Sequence, residues 1–214
     1  MQDILNTEKH IFLGLTETWL SSNHNEAELE IDGYKIYRKD RNREKAKQGR
    51  YSGGVAFYLR NDIAPLFKPL FEFSNGVNEA LLLYSEDLNI LLGIIYRQPT
   101  NPQHKSDAPE LIELISSIVS KIEDIKGCTP DMFICGDFNI AHTTINNIYK
   151  PTASCNGSLL KILDDFIIHL NLNQIVHKPT HTNGNILDFL LTNNPDAIFD
   201  YTTTHTIHSD HFFC

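Results

Sequence analysis

The chain has 214 residues, 41% of them hydrophobic and 21% charged, a composition typical of a folded globular protein rather than a disordered one. Its net charge of −9 argues against a protein that holds nucleic acid by overall electrostatic attraction. The N-terminal residues lack the apolar core of a secretory signal, and no apolar run approaches membrane-spanning length. Four scattered cysteines without paired spacing predict reduced thiols, so we expect an intracellular protein that does not act in a membrane.

The first half of the chain predicts strands. The continuous apolar run at residues 11–15 predicts a strand buried on both faces. Alternating apolar and polar residues predict two further strands, at residues 34–38 and 53–60. Residues 79–86 and 89–97 are separated by a very short polar link, so they predict an antiparallel hairpin.

The second half of the chain mixes helices with strands. An amphipathic helix is predicted to begin at Ser106 or Asp107, to carry Pro109 in its first turn, and to stop at Gly127. A strand at 131–136, a second helix at about 159–170 and strands at 185–193, 197–207 and 211–214 are predicted to follow. Strand pairs interrupted by isolated helices predict an α+β or layered α/β/α sandwich. Without a linker or repeat, residues 1–214 are predicted to form one domain.

Basic residues are concentrated in one part of this acidic chain. Residues 35–60 hold nine of the 18 lysines and arginines, against only Asp40 and Glu44. Such a stretch could contact a phosphate backbone. A solvated, mobile loop is the alternative, and the stretch taken alone favours it.

Polar side chains follow several of the buried-type strands. A single polar residue after a strand usually belongs to a turn or a helix cap. Five such strand ends predict that these residues lie together in one site at the edge of the sheets. The residues concerned are Glu17, the pair Tyr96 and Arg97, the pair Asp137 and Asn139, Asp188, and the triplet Ser209, Asp210 and His211.

The residue types at these positions indicate a chemistry. Carboxylate oxygens of Glu17, Asp137, Asp188 and Asp210 are hard ligands, which select Mg²⁺ or Mn²⁺ over zinc. An imidazole such as that of His211 exchanges a proton near neutral pH, and a second acid such as Asp188 could hold its far nitrogen. The set predicts metal-assisted attack of water on a phosphate ester, in which Asp137 acts on the nucleophile and Asn139 donates a hydrogen bond to the phosphate.

The motifs, taken in order, resemble a known superfamily. "TETWL", "GGVAFYLR", "IIYRQP", "GDFN", "ILDFLLTN" and "SDHFF" resemble the endonuclease/exonuclease/phosphatase superfamily. Their wording is closest to the endonuclease domain of LINE-type (non-LTR) retrotransposons, which is similar to apurinic/apyrimidinic endonucleases. The resemblance extends from about residue 8 to the C-terminus. "GDFN" or "SDH" alone would be weak, whereas the ordered set is specific.

The resemblance implies a role for each motif residue. Glu17 matches the metal-binding glutamate, Asp210 matches the last metal-site or phosphate-site acid, and Tyr96 matches the tyrosine that contacts the scissile phosphate. Asp137 and Asn139 match the acid that activates water and its neighbouring amide, while Asp188 matches the acid that orients the catalytic His211. Three substrate contacts are also expected: Thr180, with Thr182 as an alternative; Ser209, with a local loop hydrogen bond as an alternative; and Arg97, with a solvated arginine as an alternative.

The resemblance also implies a fold and a biological context. Such domains are four-layer α/β/β/α sandwiches of the deoxyribonuclease type, and they nick target DNA to leave a 3′-hydroxyl that primes reverse transcription. We therefore expect a Mg²⁺-dependent DNA endonuclease domain, acting in the nucleus and fused to or derived from a reverse-transcriptase polyprotein.

The match departs from the family pattern at both ends. Relatives begin with a strand that carries a metal-site asparagine, and here the "TETWL" strand comes too early for it, while the last strand breaks off at Cys214. These departures suggest one alternative, a catalytically inactive fragment that at most binds DNA or a partner. A second alternative keeps the superfamily and changes the substrate: a phosphatase that acts on a small phosphoester.

A histidine-rich C-terminal region suggests a competing zinc site. His177, His181, His205, His208 and His211 fall in the last forty residues. No cysteine pair supports a zinc cluster, and an extended segment would place His208 on the face opposite His205 and His211. We therefore expect surface histidines, with His211 as the exception.

Overall fold

The computed structural model describes residues 10–46, 52–99, 108–145, 148–153, 156–205 and 209–213. These ranges contain two α-helices, α1 (Ala108–Glu123) and α2 (Gly157–His169). The strands are β1 (Phe12–Thr16), β2 (Tyr34–Lys39), β3 (Val55–Arg60), β4 (Lys68–Ser74), β5 (Asn78–Ser85), β6 (Ile90–Arg97), β7 (Asp131–Ile145), β8 (Ile148–Pro151), β9 (Asn173–Gln174), β10 (Ile186–Thr192), β11 (Thr204–His205) and β12 (Phe212–Phe213).

The strands form two main sheets. The larger has the order β4-β5-β6-β7-β10-β9, with β8 paired to the far end of β7. Within it only β6 and β7 run parallel, because α1 crosses over the sheet between them. The smaller sheet has the antiparallel order β1-β3-β2. Strands β11 and β12 pair with each other.

Alternating side chains of the larger sheet build two cores. In β5, Ala80 and Leu82 pack with the apolar faces of α1 and α2. Leu81 and Leu83, on the other face, pack with residues of β3 in the smaller sheet. Each fully buried leucine contributes roughly 1.5–3 kcal/mol to the free energy of unfolding. The described residues therefore form a helix layer, the larger sheet and the smaller sheet, in that order.

The outer face of the smaller sheet is covered differently. Tyr58 of β3 points to this side and donates a hydrogen bond to the carbonyl oxygen of Leu29, 2.8 Å away. The chain around the 3₁₀ turn Glu26–Glu28 passes here, and Ile31 packs against Leu13 and Tyr58. Within the described ranges no α-helix covers this face.

The strand at residues 11–15 is predicted to be buried on both faces, and this holds only for its middle: Leu13 is 5% exposed on one face, and a Cβ at Gly14 would lie 3.1 Å from Ile94 on the other. In the described residues β1 pairs with β3 alone, so it lies at the edge of the smaller sheet. Ile11 and Phe12 are accordingly 53% and 40% exposed. An apolar run cannot by itself distinguish an edge strand from an inner one.

The remaining elements are mostly where the sequence places them. The hairpin β5–β6, both helices and the strand β10 are confirmed. Of the strand predicted at 197–207, residues 206 and 207 lie outside the described part of the chain; within 197–205 only Thr204–His205 pairs, and Phe199 is 98% exposed, so the prediction is wrong for 197–203. The proposed caps Ser106 and Asp107 lie outside the described residues. The helices of the described ranges are all too short or too polar to cross a membrane.

Candidate active site

Strand β7 does not end at Gly136 as predicted; it continues through Asp137 and Asn139 to Ile145. Its pairing with β10 shifts register between Ile186 and Asp188, so extra residues of β7 bulge out at this point. Gly136 has a φ of +136°, and a Cβ there would collide with the carbonyl oxygen of Ile95. Only glycine permits this approach of β7 to β6, which aims the next residues at the site.

Four polar side chains form a row across the larger sheet at this bulge. Glu79 of β5 pairs with Tyr96 of β6, Tyr96 pairs with Asp137 of β7, and Asp137 pairs with Asp188 of β10. Directly paired residues of neighbouring strands project to the same face, here the one that meets the smaller sheet. Tyr96, Asp137 and Asp188 therefore lie together, as predicted, because they are directly paired on neighbouring strands.

Asn139 holds Asp137 in place. One Asp137 oxygen accepts the backbone N–H of Asn139 at 2.9 Å, and the other accepts the Asn139 side-chain amide at 2.7 Å. The amide's second N–H is donated to the carbonyl oxygen of Arg97, also at 2.7 Å. An amide nitrogen has two N–H groups, so none is left for the phosphate contact predicted for Asn139. The contacts are those of a residue that positions Asp137.

His211 lies between two acids. Its Nδ1 is 2.8 Å from Asp188 Oδ2, and its Nε2 is 3.9 Å from Asp137 Oδ2. The hydrogen bond to Asp188 raises the pKa of His211 to about 9, so the imidazole is protonated at neutral pH. Burial, and then the charge of Asp188, raise the pKa of Asp137 well above its ordinary value. Ser209 accepts the backbone N–H of His211 at 3.0 Å, which is the predicted local loop hydrogen bond.

Glu17 and Tyr96 form the other side of the site. Glu17 follows β1 with a φ of +51°, a conformation that non-glycine residues seldom adopt. One of its oxygens accepts the Tyr96 hydroxyl at 2.5 Å, and the other accepts Trp19 Nε1 at 3.2 Å. Burial and the bond to Glu17 raise the pKa of Tyr96 above its ordinary range, so it acts as a neutral hydrogen-bond donor.

The segment that carries His211 is tied to the loop before β10. The backbone N–H of Phe212 donates to Thr180 O at 2.7 Å, and His181 pairs with His211 as an isolated bridge. Thr180 is completely buried, and its hydroxyl accepts the backbone N–H groups of Leu187 and Asp188. These contacts fix the start of β10 and do not support the predicted contact of Thr180 with substrate.

Arg97 is also buried, with 1% of its surface exposed. Its Nη1 donates to the carbonyl oxygen of Gln98 at 2.7 Å, and its own carbonyl accepts the Asn139 amide. The alternative of a solvated arginine is therefore wrong. The predicted contact of Arg97 with DNA lacks support as well, because the guanidinium does not reach the surface.

A buried ion pair that the sequence pattern did not predict lies beside Tyr96. Arg41 Nε and Nη2 each donate to one oxygen of Glu79, both at 2.9 Å, and the Arg41 guanidinium lies 5.5 Å from the centre of the Tyr96 ring. Arg41 belongs to the basic stretch, which is therefore only partly a free cationic surface. The missed signal was Glu79 itself, an acid opposite Tyr96 in the predicted hairpin.

His181 was also missed. It was expected on the surface, but its side chain is 12% exposed and its Nε2 lies 3.2 Å from Asp210 Oδ2. Of the other zinc candidates, His177 packs edge-on against Tyr149, and His208 lies outside the described residues.

Two groups of acids and histidines among the described residues could hold a metal ion. They are Asp137, Asp188 and His211, and His181, Asp210 and His211, each with ligand atoms within 4.8 Å of one another. Glu17, the predicted metal acid, belongs to neither group of three. Its exposed carboxylate, with one hydrogen bond on each oxygen, keeps free lone pairs for a hard cation.

Comparison with solved structures shows the same fold. The AP endonuclease LMAP from Leishmania major has a TM-score of 0.67 at 15% identity, over 99% of this chain and 79% of its own. An AP endonuclease from Archaeoglobus fulgidus has a TM-score of 0.67 at 13% identity, over 99% and 90%. The endonuclease domain of TRAS1, a telomere-specific non-LTR retrotransposon, has a TM-score of 0.57 at 10% identity, over 99% and 86%. The predicted deoxyribonuclease-like sandwich is confirmed.

Comparison at the level of sequence gives one family. No curated protein matches the chain significantly. Residues 2–211 match the Endonuclease/Exonuclease/phosphatase family, whose members hydrolyse phosphoesters. This match spans nearly the whole chain and includes every residue of the site described above. The chain is a member of the endonuclease/exonuclease/phosphatase family.

Proposed function

We propose that the chain is a Mg²⁺-dependent phosphodiesterase that nicks DNA by water attack, as the endonuclease domain of a non-LTR retrotransposon. The arrangement of Asp188, His211 and Asp137 carries this proposal. A cationic imidazole held by one acid stands 3.9 Å from a second acid, whose pKa burial raises well above its ordinary value. The pairing places a proton acceptor and a proton donor beside one another at the mouth of the sheet.

Asp137 is the group that accepts a proton. The oxygen of a water molecule bonds to phosphorus as the P–O3′ bond breaks, Asp137 takes the water's proton, and the leaving 3′-oxygen takes a proton from solvent. A general base works best when its pKa lies near the working pH, and burial moves Asp137 in that direction. Asn139 holds both oxygens of Asp137, so the acid meets the water in a fixed orientation.

His211 and Tyr96 stabilise the phosphate. The His211 imidazolium offers an N–H to a phosphoryl oxygen, where negative charge accumulates in the transition state. Tyr96 stays protonated and donates its hydroxyl hydrogen, at present to Glu17 and, with substrate bound, to the phosphate. Asp188 keeps the imidazole charged and oriented.

The donor set fits a hard divalent cation. Glu17 and Asp210 offer carboxylate oxygens, the ligands Mg²⁺ prefers, and their residues lie at the exposed rim of the site. A bound Mg²⁺ would neutralise phosphate charge there. His181, whose Nε2 lies 3.2 Å from Asp210 Oδ2, adds an imidazole nitrogen beside that carboxylate, which also makes Mn²⁺ an acceptable ion.

DNA is the substrate that the surroundings favour. Arg43 and Lys45, which follow Arg41 in the basic stretch, are exposed on an otherwise acidic chain, as a contact with the phosphate backbone requires. The similarity to the TRAS1 endonuclease domain adds support for a retrotransposon. In that context the domain would act in the nucleus beside a reverse transcriptase.

Nicking of supercoiled plasmid tests the proposal. The parent protein should convert plasmid to open circles with Mg²⁺ and not with EDTA, and Asp137→Asn and His211→Ala should each lose this activity. His169→Ala is a matched control, because His169 is an exposed histidine of α2 paired with Glu123. Hydrolysis of a small phosphomonoester without nicking would replace the proposal with a phosphatase, and inactivity on both would indicate an inactive fragment.

A further inference from the structure

Trp19, the only tryptophan of the chain, is an exposed aromatic residue beside the site. It is 59% exposed and belongs to none of the hydrophobic clusters of the described core. Its φ of +56° is unfavourable for a bulky residue. A large side chain that is exposed, strained and absent from the core has a position that core packing does not explain.

Specific contacts hold Trp19 where it is. Its backbone N–H donates to Gly53 O at 2.9 Å, which joins it to the turn before β3. Its Nε1–H donates to Glu17 Oε2 at 3.2 Å. The indole has no other polar atom, so its hydrogen-bonding capacity is satisfied and its apolar ring remains available.

We propose that Trp19 is a substrate-contacting residue whose indole stacks on a nucleobase next to the scissile phosphate. The inference rests on the proposed function and refines its substrate: a strand with an unstacked base, rather than any phosphoester. Glu17 and Tyr96 locate the phosphate, and the indole is fixed to the Glu17 carboxylate, within a nucleotide's reach of it. Aromatic side chains bind bases through their faces without regard to sequence, so Trp19 adds affinity for unpaired or distorted DNA.

A narrower role must be separated from stacking. If Trp19 only orients Glu17, its N–H group is what counts and its ring is dispensable. Trp19→Phe keeps an aromatic face and removes the N–H group, whereas Trp19→Ala removes both. If the ring stacks on a base, the phenylalanine variant should bind DNA nearly as tightly as the parent. If Trp19 only orients Glu17, both variants should lose the same amount of affinity.

The experiment measures binding in EDTA, so that no cleavage occurs. Two labelled single-stranded oligonucleotides of equal length and charge are compared by anisotropy: one carries bases, and the other has an abasic tract in its centre. The base-bearing strand should quench the emission of Trp19, and the abasic strand should not. Trp19→Ala should weaken binding of the base-bearing strand about 5- to 100-fold and leave the abasic strand unchanged, because one stacked base contributes that much.

Each other outcome overturns the inference. Equal affinity and equal quenching for the two strands would show that no base touches Trp19, while nicking by the parent would leave the proposed function intact. Equal losses in Trp19→Phe and Trp19→Ala on both strands would reduce the residue to orienting Glu17. Failure of the parent to bind or nick any DNA would remove the proposed function and this inference together.

Discussion

Arg41 and Glu79 form a bidentate ion pair that is almost completely buried, with side-chain exposures of 3% and 0%. Glu79 also accepts the Ser74 hydroxyl and the backbone N–H of Gly54, so both carboxylate oxygens are fully engaged. The pair connects two parts of the site. Arg41 lies over the ring of Tyr96, and Gly54 precedes β3 at the turn that binds the residues after Glu17.

Breaking this ion pair should lower both the stability of the protein and its nicking activity. Glu79→Gln leaves the Arg41 charge buried without a counter-charge, which should lower the free energy of unfolding by about 3–5 kcal/mol. Urea denaturation measures the loss, and plasmid nicking should fall with it because Tyr96 loses its support.

A neighbouring glutamate provides the control. Glu72, on β4, forms a pair with Lys39 in which the side chains are 45% and 31% exposed. Glu72→Gln should therefore change the free energy of unfolding by less than about 1 kcal/mol. Equal effects of the two substitutions would show that the buried pair has no special structural role.

Gly54 should be intolerant of a side chain for a reason separate from its backbone angle. Its φ is +89°, and a Cβ would lie 2.5 Å from Thr18 Oγ1. Gly184 has a similar φ of +79° with nothing within 4 Å of its Cβ position. Gly184→Ala should therefore cost about 1–2 kcal/mol of unfolding free energy, and Gly54→Ala at least about 1 kcal/mol more.

The added cost of Gly54→Ala should vanish when the obstructing hydroxyl is removed. Thr18→Ala opens the space that the new methyl group needs, so the double variant should fall back to the loss seen for Gly184→Ala. Thermal and urea unfolding of the four proteins form a double-mutant cycle. Simple additivity of the two substitutions would exclude the contact as the cause.

The sequence predicted which side chains form the site, but it did not predict the path of the strand that carries them. Asp137, Asp188, His211, Tyr96 and Glu17 could be predicted because each is a polar residue at the margin of an apolar run. The continuation of β7 through Gly136 and Asp137 could not, since a glycine followed by an acid is also the usual signature of a turn. Here the pairing register reveals a bulge in β7, so the site residues lie within the strand and not after its end.

The residues that support the site, Glu79 and Arg41, were harder to predict than the site residues themselves. Glu79 begins an apolar strand and Arg41 lies in a polar, basic stretch, so each has a plain local explanation as a solvated charge. Their burial depends on a contact across 38 positions of the chain. In the C-terminal region, a threonine-rich segment predicted a strand at residues 197–207. Pairing requires a partner strand, however, and Phe199 is 98% exposed without one in the described residues.

Asn139 should matter for catalysis through Asp137. Asn139 has a φ of +50°, so Asn139→Gly keeps the backbone relaxed while removing the amide, and Asn139→Ala adds backbone strain. Both should lower kcat for nicking about 100-fold with little change in KM, since a misplaced base slows the chemical step. Both variants lose the two hydrogen bonds of the amide, and the alanine variant should lose about 1 kcal/mol more unfolding free energy than the glycine variant. Normal kcat in Asn139→Gly would show that the amide is not needed to position Asp137.

The final prediction concerns the protonation of His211 in the metal-free protein. The hydrogen bond that His211 Nδ1–H donates to Asp188 raises the pKa of His211 from 6.5 to about 9 in the folded state. The folded protein therefore binds a proton more tightly than the unfolded chain does. The resulting stability is complete below about pH 6.5 and is lost as the pH rises through about 9. Asp188→Asn should bring the pKa back toward its ordinary value and flatten this part of the stability profile.

Proton NMR of the imidazole resonances measures the pKa directly, with His211→Ala to assign the signal. Asp137→Asn is the informative comparison, because the Asp137 carboxylate is the second charge that raises the pKa of His211 and its nearest oxygen lies 3.9 Å from Nε2. The loss of pKa should be larger in Asp188→Asn, which weakens a 2.8 Å hydrogen bond, than in Asp137→Asn. The reverse order would mean that Asp137, rather than Asp188, keeps the imidazole charged, and the two acids would then have to exchange roles in the proposed reaction.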